Sequence, residues 1–263
     1  MHSTRIAIFV ATSWELTAVR SAFFSGTKQH IDGQIVYIHT VDRREYWLIP
    51  TGMGLQNARQ VAVRMLRGRS FHLMVSTGFA CALTDARIGG LLVGQEVLYM
   101  SGREQVCSKA IEVPGAERDA LLAIATRQVP SVPVGRFVST DRIVARASEK
   151  THFATCTQAI GLDMESWALA EEAQRAGVPF VIVRSVSDGV DEDLPLDFNL
   201  FLRPAGWLQG LKTVLFRPSC LLGIDRLRRQ SAIAARTLTE FFQRYQESVG
   251  KESDMSICQS SLS

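Results

Sequence analysis

Residues 178–188 read VPFVIVRSVSD, and this stretch decides the fold class. It starts beside Gly177, a residue type that commonly ends a helix, and contains Pro179, which cannot continue one. The run Phe180–Ser185 is short, apolar and rich in β-branched residues, as buried strands are. The segment before it, Met164–Ala176, has helical composition and spacing. A helix that leads directly into a buried strand indicates a sheet covered by helices.

The same alternation of strands and helices extends towards the N-terminus. Helical spacing recurs at Asn57–Leu66 and Ala116–Arg127. Further strands are predicted in six apolar runs: Ile6–Val10, Ile35–His39, Tyr46–Ile49, Leu73–Ser76, Leu91–Met100 and Arg136–Ser139. The sequence therefore predicts an α/β fold with a central mixed, largely parallel sheet flanked by helices.

The composition of the chain changes after Pro195. We expect residues 1–195 to form the α/β domain, and 196–247 to form a basic and apolar helical extension of the same domain. A terminal helix is predicted within it at Arg226–Phe242. Residues 248–263 are polar and rich in serine, which predicts a disordered tail.

The bulk charge and the cysteines exclude several functions. The net charge of +3 is too small to indicate a nucleic-acid partner. The excess of positive charge lies after residue 195, where the sequence has nine Arg and Lys residues and six Asp and Glu residues. The five cysteines are scattered without paired spacing, so neither a disulfide framework nor a zinc site is expected: Cys81, Cys107, Cys156, Cys220 and Cys258.

The N-terminal sequence does not indicate export. The apolar run Ile6–Ala11 is short and is followed by Trp14 and Glu15, unlike a signal peptide. No apolar stretch approaches the ~20 residues that span a bilayer. We therefore expect a cytoplasmic protein, and the residues imply no metal and no organic cofactor.

Three acidic residues lie where a sheet of this kind binds its ligands, beyond the carboxyl ends of strands. Glu15 follows the first strand, Glu165 starts the helix before the last strand, and Asp188 follows that last strand. Each also has a purely structural interpretation. Glu15 and Glu165 could be first-turn carboxylates that a helix dipole favours, and Asp188 could cap a turn.

The sequence motifs around these acidic residues resemble those of one superfamily. Residues 161–170, GLDMESWALA, together with VPFVIVRSVSD, resemble the nucleoside phosphorylase/nucleosidase superfamily. TGMGLQNA at 51–58, STGFACAL at 76–83 and VGQEV at 93–97 agree with it. The nearest branches are the methylthioadenosine/S-adenosylhomocysteine nucleosidases and the hopanoid-associated phosphorylases. The resemblance covers about residues 5–195.

The resemblance implies a role for each acidic residue. Asp188 is the general acid that protonates N7 of the departing purine, and Glu15 positions and deprotonates the attacking water. Glu165 accepts hydrogen bonds from both ribose hydroxyls. Ser187 and Arg184 could orient the Asp188 carboxyl, although Arg184 could equally form a structural ion pair.

The resemblance also implies a wider substrate-binding set. Met164 matches the residue that packs under the sugar, and Ile143 stands where the nucleosidases place an aromatic residue against adenine. The remaining positions assigned to substrate binding lie in the glycine turns and beside Ile143: Gly52, Gly54, Gly78, Phe79 and Val144.

One departure bears on the nucleophile. Phosphorylases of this superfamily carry an arginine where this chain has Ser76. Water is therefore favoured over phosphate as the nucleophile. Arg142 or Arg146 could in principle bind phosphate instead, so phosphorolysis stays open as an alternative.

Four functional hypotheses remain. The favoured one is a purine nucleosidase that releases adenine from adenosylhopane in hopanoid biosynthesis, supported by DRIVAR at 141–146, SEK at 148–150 and DMES at 163–166. The alternatives are a methylthioadenosine/S-adenosylhomocysteine nucleosidase, a nucleoside phosphorylase and a non-catalytic nucleoside-binding module.

The extension leaves two interpretations open. Residues 199–236 contain seven basic residues and one acidic residue among Trp, Phe and Leu. Residues 198–230 could therefore contact the inner face of the membrane peripherally, or could form a helical subdomain that packs on the sheet. We expect a homodimer whose ligand is a small purine nucleoside, with or without a lipid-like 5′ group.

Overall fold

The computed structural model describes residues 3–101, 106–129, 131–194 and 219–260. This part of the chain contains six helices: α1 (Ser13–Arg20), α2 (Leu55–Leu66), α3 (Gly115–Gln128), α4 (Ala147–Thr157), α5 (Ser166–Ala176) and α6 (Ser219–Ser260). Its strands are β1 (Thr4–Val10), β2 (Thr27–Ile31), β3 (Gln34–Val41), β4 (Arg44–Pro50), β5 (Leu73–Ala82), β6 (Leu91–Ser101), β7 (Val106–Cys107), β8 (Ile111–Glu112), β9 (Val134–Thr140), β10 (Gly161–Asp163) and β11 (Phe180–Asp188).

The strands form one mixed sheet in the order β10-β9-β6-β11-β5-β1-β4-β3-β2, with β7 and β8 paired to β6. Neighbouring strands are parallel from β4 through β1 and β5 to β11. The predicted α/β class, with a mixed sheet flanked by helices, is confirmed. The carboxyl ends of β1, β5 and β11 lie at one edge, because parallel neighbours end on the same side.

An additional pairing closes part of this sheet into a ring. β10 pairs parallel with β9 and antiparallel with β5, so β5, β11, β6, β9 and β10 follow one another around a closed circuit. The three-residue strand β10 thus brings Asp163, which begins the acidic motif, beside β9 and β5. This closure was not predicted, because GLD is too short to show a strand period.

Two strands are longer than the sequence suggested. β5 was predicted to end at Ser76 but continues to Ala82, and β11 continues past Ser185 to Asp188. The polar and glycine residues inside these segments are typical of loops. β5 and β11 nevertheless remain paired there, with Gly78 opposite Arg184. Backbone pairing to a central strand outweighs the low strand propensity of glycine.

The C-terminal helix belongs to the core. Phe241, Phe242 and Tyr245 of α6 are buried in the same apolar cluster as the central strands. Thr239 Oγ1 and Gln246 Nε2 donate to carbonyl groups at the end of α1 or just after it, at 2.8 Å each. The backbone of α6 continues to Ser260, through most of the range in which composition predicts a disordered tail.

Most of the predicted membrane-contacting segment, 198–230, lies outside the described residues. Residues 198–218 lie outside the described residues, and 219–230 begin α6. Arg226 there donates to the Asp193 carbonyl at 3.3 Å, and Arg229 pairs with Asp225 at 2.6 Å. Within the described ranges, the helices are too polar or too short to cross a bilayer.

Candidate active site

A buried polar network occupies the closed ring of strands. The Arg184 guanidinium on β11 is 1% exposed, and its Nη2 lies 2.9 Å from an Asp163 carboxylate oxygen. Nη2 also donates to the hydroxyls of Ser76 at 2.9 Å and Ser166 at 3.0 Å. A charge this deep is tolerated because it is paired and hydrogen-bonded. Arg184 therefore forms the structural ion pair that the sequence left open, and its described contacts do not include Asp188.

Asp163 fixes the backbone next to Glu165. Its Oδ1 accepts the backbone amides of Glu165 and Ser166, at 3.2 Å each, and the Ser139 hydroxyl at 2.5 Å. The Ser166 hydroxyl donates to the other oxygen. These bonds hold the first turn of α5 in place, so the orientation of the Glu165 side chain is set from β10.

Glu165 points away from its own helix terminus. It occupies the N-cap position of α5, but its side chain makes no cap hydrogen bond. Oε1 instead accepts the Gly54 backbone N–H at 2.8 Å, and Oε2 lies 3.8 Å from Arg184 Nη2. Burial raises the pKa of Glu165 to about 7, against the opposing effect of the Arg184 charge. The Glu165 carboxylate is therefore not held in place as a helix cap.

Glu15 both caps a helix and reaches across the sheet edge. Its Oε2 accepts the Thr12 backbone N–H at 2.7 Å and the Thr12 hydroxyl at 2.8 Å, and the two residues form the capping box of α1. Its Oε1 accepts the Phe79 backbone N–H at 2.7 Å. The helix-cap interpretation is correct for one oxygen, and the other oxygen is directed to β5.

Gly78 lies close to both the Glu15 carboxylate and the Arg184 guanidinium. A Cβ atom at this position would lie 2.2 Å from Glu15 Oε1 and 2.8 Å from Arg184 Nη1. Its backbone φ of +139° is also one that residues other than glycine rarely adopt. Glycine is thus required for Glu15 and Arg184 to approach β5 this closely.

Asp188 has two side-chain partners. Ser187 Oγ donates to Oδ1 at 2.8 Å, as the sequence suggested, and Lys150 Nζ donates to Oδ2 at 2.6 Å. Lys150 is fully buried, and its ammonium also donates to the carbonyls of Gly189 at 3.0 Å and Glu192 at 2.8 Å. Asp188 does not cap a turn; it ends β11 with both oxygens held.

Sequence reasoning missed Lys150 and Asp163 as site residues. The signal for Lys150 was its position: on α4 the buried residues are Lys150, Phe153 and Thr157, a helical stripe in which a lysine is out of place. Helix α4 itself was not predicted, so the stripe went unseen. Asp163 stood inside the quoted DMES motif without a role.

The remaining predicted residues differ in their burial and in their contacts. Gly52 and Gly54 have φ values of +79° and +94° in the turn before α2, and the Met164 methyl lies 4.0 Å from where a Gly54 Cβ would be. Met164 and Ile143 are half-buried. Val144 is 3% exposed and belongs to a separate apolar cluster with Cys81, so its described environment is that of a core residue.

Neither the metal-ligand pattern nor the cavities add a second centre. No group of three His, Cys, Asp or Glu side chains suited to a metal occurs among the described residues. A cavity of about 550 Å³ lies against β2, β3 and β4, with Gln29, Glu45 and Trp47 in its wall. None of the three carboxylates lines this cavity.

The chain is similar in sequence and in fold to several known proteins. A 5′-methylthioadenosine/S-adenosylhomocysteine nucleosidase of Shewanella baltica is 22% identical over 224 residues, covering 80% of this chain and 95% of that protein. The solved Helicobacter pylori nucleosidase of the same name has a TM-score of 0.68 at 21% identity, covering 82% of this chain and 99% of its own. Futalosine hydrolase of Helicobacter pylori has a TM-score of 0.70 at 17% identity, covering 92% and 97%.

The model of the family described as the Phosphorylase superfamily matches residues 5–205. That span includes all three carboxylates, the glycine turns and the strands that carry them. The chain belongs to the Phosphorylase superfamily.

Proposed function

We propose that the chain is a purine nucleosidase that hydrolyses the N-glycosidic bond of a 5′-substituted adenosine and releases adenine. The observation that carries the proposal is the set of three buried carboxylates on or beside β5 and β11: Glu15, Glu165 and Asp188 are 3%, 6% and 8% exposed. The names of the similar proteins, which are nucleosidases and a hydrolase, support the same reaction class.

The chemistry needs three groups in different roles. As the bond between C1′ and N9 breaks, positive charge develops on the ribose and negative charge on the purine. Asp188 donates its proton to N7, so that the base leaves as neutral adenine. Glu15 takes a proton from water as the water oxygen bonds to C1′. This division of labour parallels O-glycoside hydrolysis by two carboxyl groups.

Glu165 holds the ribose in this proposal. One Glu165 oxygen is oriented by the Gly54 N–H, and the carboxylate accepts the two ribose hydroxyls. Glu165→Gln removes an acceptor from a charge-assisted pair, worth about 2–3 kcal/mol. We expect the preference for riboside over 2′-deoxyriboside to fall by roughly 30- to 150-fold in competition assays. An unchanged preference would contradict the assignment.

The pH dependence gives a second measurement on the same residue. The carboxyl must be ionised to accept both hydroxyls, and its pKa is raised to about 7 in the free protein. Riboside binding therefore releases a proton, and affinity should rise as pH increases through 7 and level off above it. The Glu165→Gln variant should lose this rise. A Kd for the wild type that is flat between pH 6 and 8 would contradict it.

Water is the proposed nucleophile. Ser76, at the position of the phosphorylase arginine, is fully buried and hydrogen-bonded to Ser166 and Arg184. Arg142, a candidate for phosphate binding, donates to Glu149 at 3.1 Å. The free sugar, and no ribose 1-phosphate derivative, should therefore accumulate in concentrated phosphate. Detection of the phosphorylated sugar by mass spectrometry would support the phosphorylase alternative.

For the 5′ group, we propose an apolar substituent, with adenosylhopane the favoured substrate. The exposed apolar side chains Trp14 and Met53, 48% and 42% exposed, are chain neighbours of Glu15 and Gly54. An apolar substituent, or the second subunit of the homodimer that we also propose, would cover them. Ile143 in place of an aromatic residue supports departure from the methylthioadenosine type.

A substrate panel tests the 5′ group directly. Adenine release should rise in kcat/KM as the 5′-alkyl chain lengthens, because each buried methylene contributes about 0.8 kcal/mol. A preference for methylthioadenosine over every longer analogue would favour the methylthioadenosine/S-adenosylhomocysteine nucleosidase alternative. Truncation is the poorer test, since deletion of 198–263 removes Phe241 and Phe242 from the core.

The proposed location is the cytoplasm, with peripheral contact at the inner membrane face through 198–230. The basic composition of that range supports the contact. Sedimentation with anionic vesicles tests it, and equal recovery in the supernatant with and without vesicles would contradict it.

A further inference from the structure

We propose that Lys150 is a positioning residue for the Asp188 general acid: it orients the acid and stabilises the carboxylate left after proton donation. The inference rests on the proposed function, because it assigns a partner to the acid of that reaction. It starts from one observation that the carboxylate chemistry alone does not explain. A lysine with no exposed surface lies 2.6 Å from Asp188.

A buried ammonium must have a reason, because removing a charge from water is costly. Lys150 satisfies its three donors with Asp188 Oδ2 and the carbonyls of Gly189 and Glu192. All three acceptors belong to the end of β11 or to the segment just after it. The lysine therefore links α4 to the point where the acid leaves the sheet.

The two hydrogen bonds to Asp188 are made to different oxygens of its carboxyl group. Ser187 holds Oδ1 and Lys150 holds Oδ2, so rotation of the carboxyl is blocked from both sides. The Cys81 thiol lies near both groups: burial raises its pKa, Asp188 raises it further, and Lys150 opposes the rise. Cys81 lies opposite Asp188 in the strand register and donates weakly to the Gly189 carbonyl at 3.8 Å, and the Glu192 carboxylate accepts the Gly189 N–H at 3.4 Å.

The charge of Lys150 changes the energy of the proton transfer. In the step, the O–H bond of Asp188 breaks, the N7–H bond forms, and the electron pair of the C1′–N9 bond passes into the purine. The product of the transfer is an Asp188 carboxylate beside the Lys150 ammonium. Opposite charges at this distance in a buried site stabilise that product of the transfer.

A set of four proteins tests this: wild type, Lys150→Met, Asp188→Asn and the double variant. Lys150→Met should lower kcat for adenine release by about 10²-fold, within the range of a general acid, with KM changed less than threefold. The double variant should be no slower than Asp188→Asn, because a residue that acts through Asp188 has nothing left to act on. Thr155→Ala, on the exposed face of the same helix, is the matched control and should keep wild-type kcat.

A second substrate separates positioning from folding. Hydrolysis of a 4-nitrophenyl riboside releases 4-nitrophenolate, a stable anion that needs no proton to leave. Lys150→Met and Asp188→Asn should therefore both hydrolyse it at close to the wild-type rate. Lys150→Arg keeps the charge and should recover part of the kcat for adenosine substrates; if Lys150→Met does not fold, this variant carries the comparison. Loss of the 4-nitrophenyl activity in step with the adenine activity would overturn the inference and make Lys150 a purely structural residue.

The outcomes also distinguish the inference from the function on which it rests. Wild-type kcat in Lys150→Met, with Asp188→Asn inactive, overturns the role of Lys150 and leaves the nucleosidase proposal standing. Additive losses in the double variant overturn it in the same way. A wild type that releases no base from any nucleoside overturns the proposed function, and the role of Lys150 falls with it.

Discussion

Replacing Asp188 with asparagine should reduce kcat for adenine release by about 10²- to 10⁴-fold, while nucleoside affinity changes little. The amide preserves the shape of the side chain and can still accept a hydrogen bond from Lys150 or Ser187. It cannot supply the proton that N7 needs as the base departs. The loss should therefore appear in kcat and not in the Kd of the nucleoside, measured by calorimetry in the same variant.

Two controls make the Asp188 result specific. Asp191→Asn changes an exposed carboxylate three residues away and should leave kcat unchanged. A melting curve of Asp188→Asn is needed, because the variant leaves the buried Lys150 ammonium without its counter-charge, which can destabilise a protein by about 3–5 kcal/mol. A folded variant with near wild-type kcat would remove Asp188 from the mechanism.

Gly78→Ala should lower both the stability of the protein and its turnover. Its Cβ would lie 2.2 Å from Glu15 Oε1 and 2.8 Å from Arg184 Nη1, so both side chains must move. Overpacking of this kind costs about 1–3 kcal/mol of folding free energy. Displacing Glu15 by about 1 Å can also lower kcat by roughly 10²-fold. We expect a lower melting temperature together with a loss of turnover.

Gly33→Ala is the matched control for backbone strain. Gly33 also has a positive φ, +77°, but nothing lies within 4 Å of its Cβ position. This variant should lose some stability through strain alone and keep full turnover. If Gly78→Ala and Gly33→Ala have equal effects on stability and both keep wild-type kcat, the close approach of Glu15 and Arg184 to Gly78 does not contribute to turnover.

The architecture was largely readable from the sequence, for a physical reason. Segments such as Phe180–Ser185 and Ile6–Val10 are buried on both faces, so their composition is dominated by apolar, β-branched residues. Strand continuation beyond Ser76 was missed because Gly78 serves the approach of Glu15 and Arg184, not strand propensity. Helix α4 was missed because its buried stripe contains Lys150, which reads as a surface residue.

The positions of the three acidic residues at strand and helix ends could be predicted from the sequence, but their hydrogen-bond partners could not. Glu15, Glu165 and Asp188 follow from where strands end, which chain order reveals. Lys150 lies 38 residues from Asp188 along the chain, and Asp163 reaches Arg184 only because β10 closes the ring. Such contacts depend on tertiary packing, which periodicity does not encode. The orientation of Arg184 towards Asp163 was left as an alternative for the same reason.

The central claim, hydrolysis of an adenosine derivative, is tested most directly by one time course. Purified full-length chain is incubated with a 5′-alkyl adenosine, and free adenine and the sugar product are quantified by chromatography. We expect many turnovers, with one adenine and one free 5′-alkyl ribose formed per nucleoside consumed. Saturable nucleoside binding with no adenine released would contradict it and would favour a binding module that has kept the fold without the reaction.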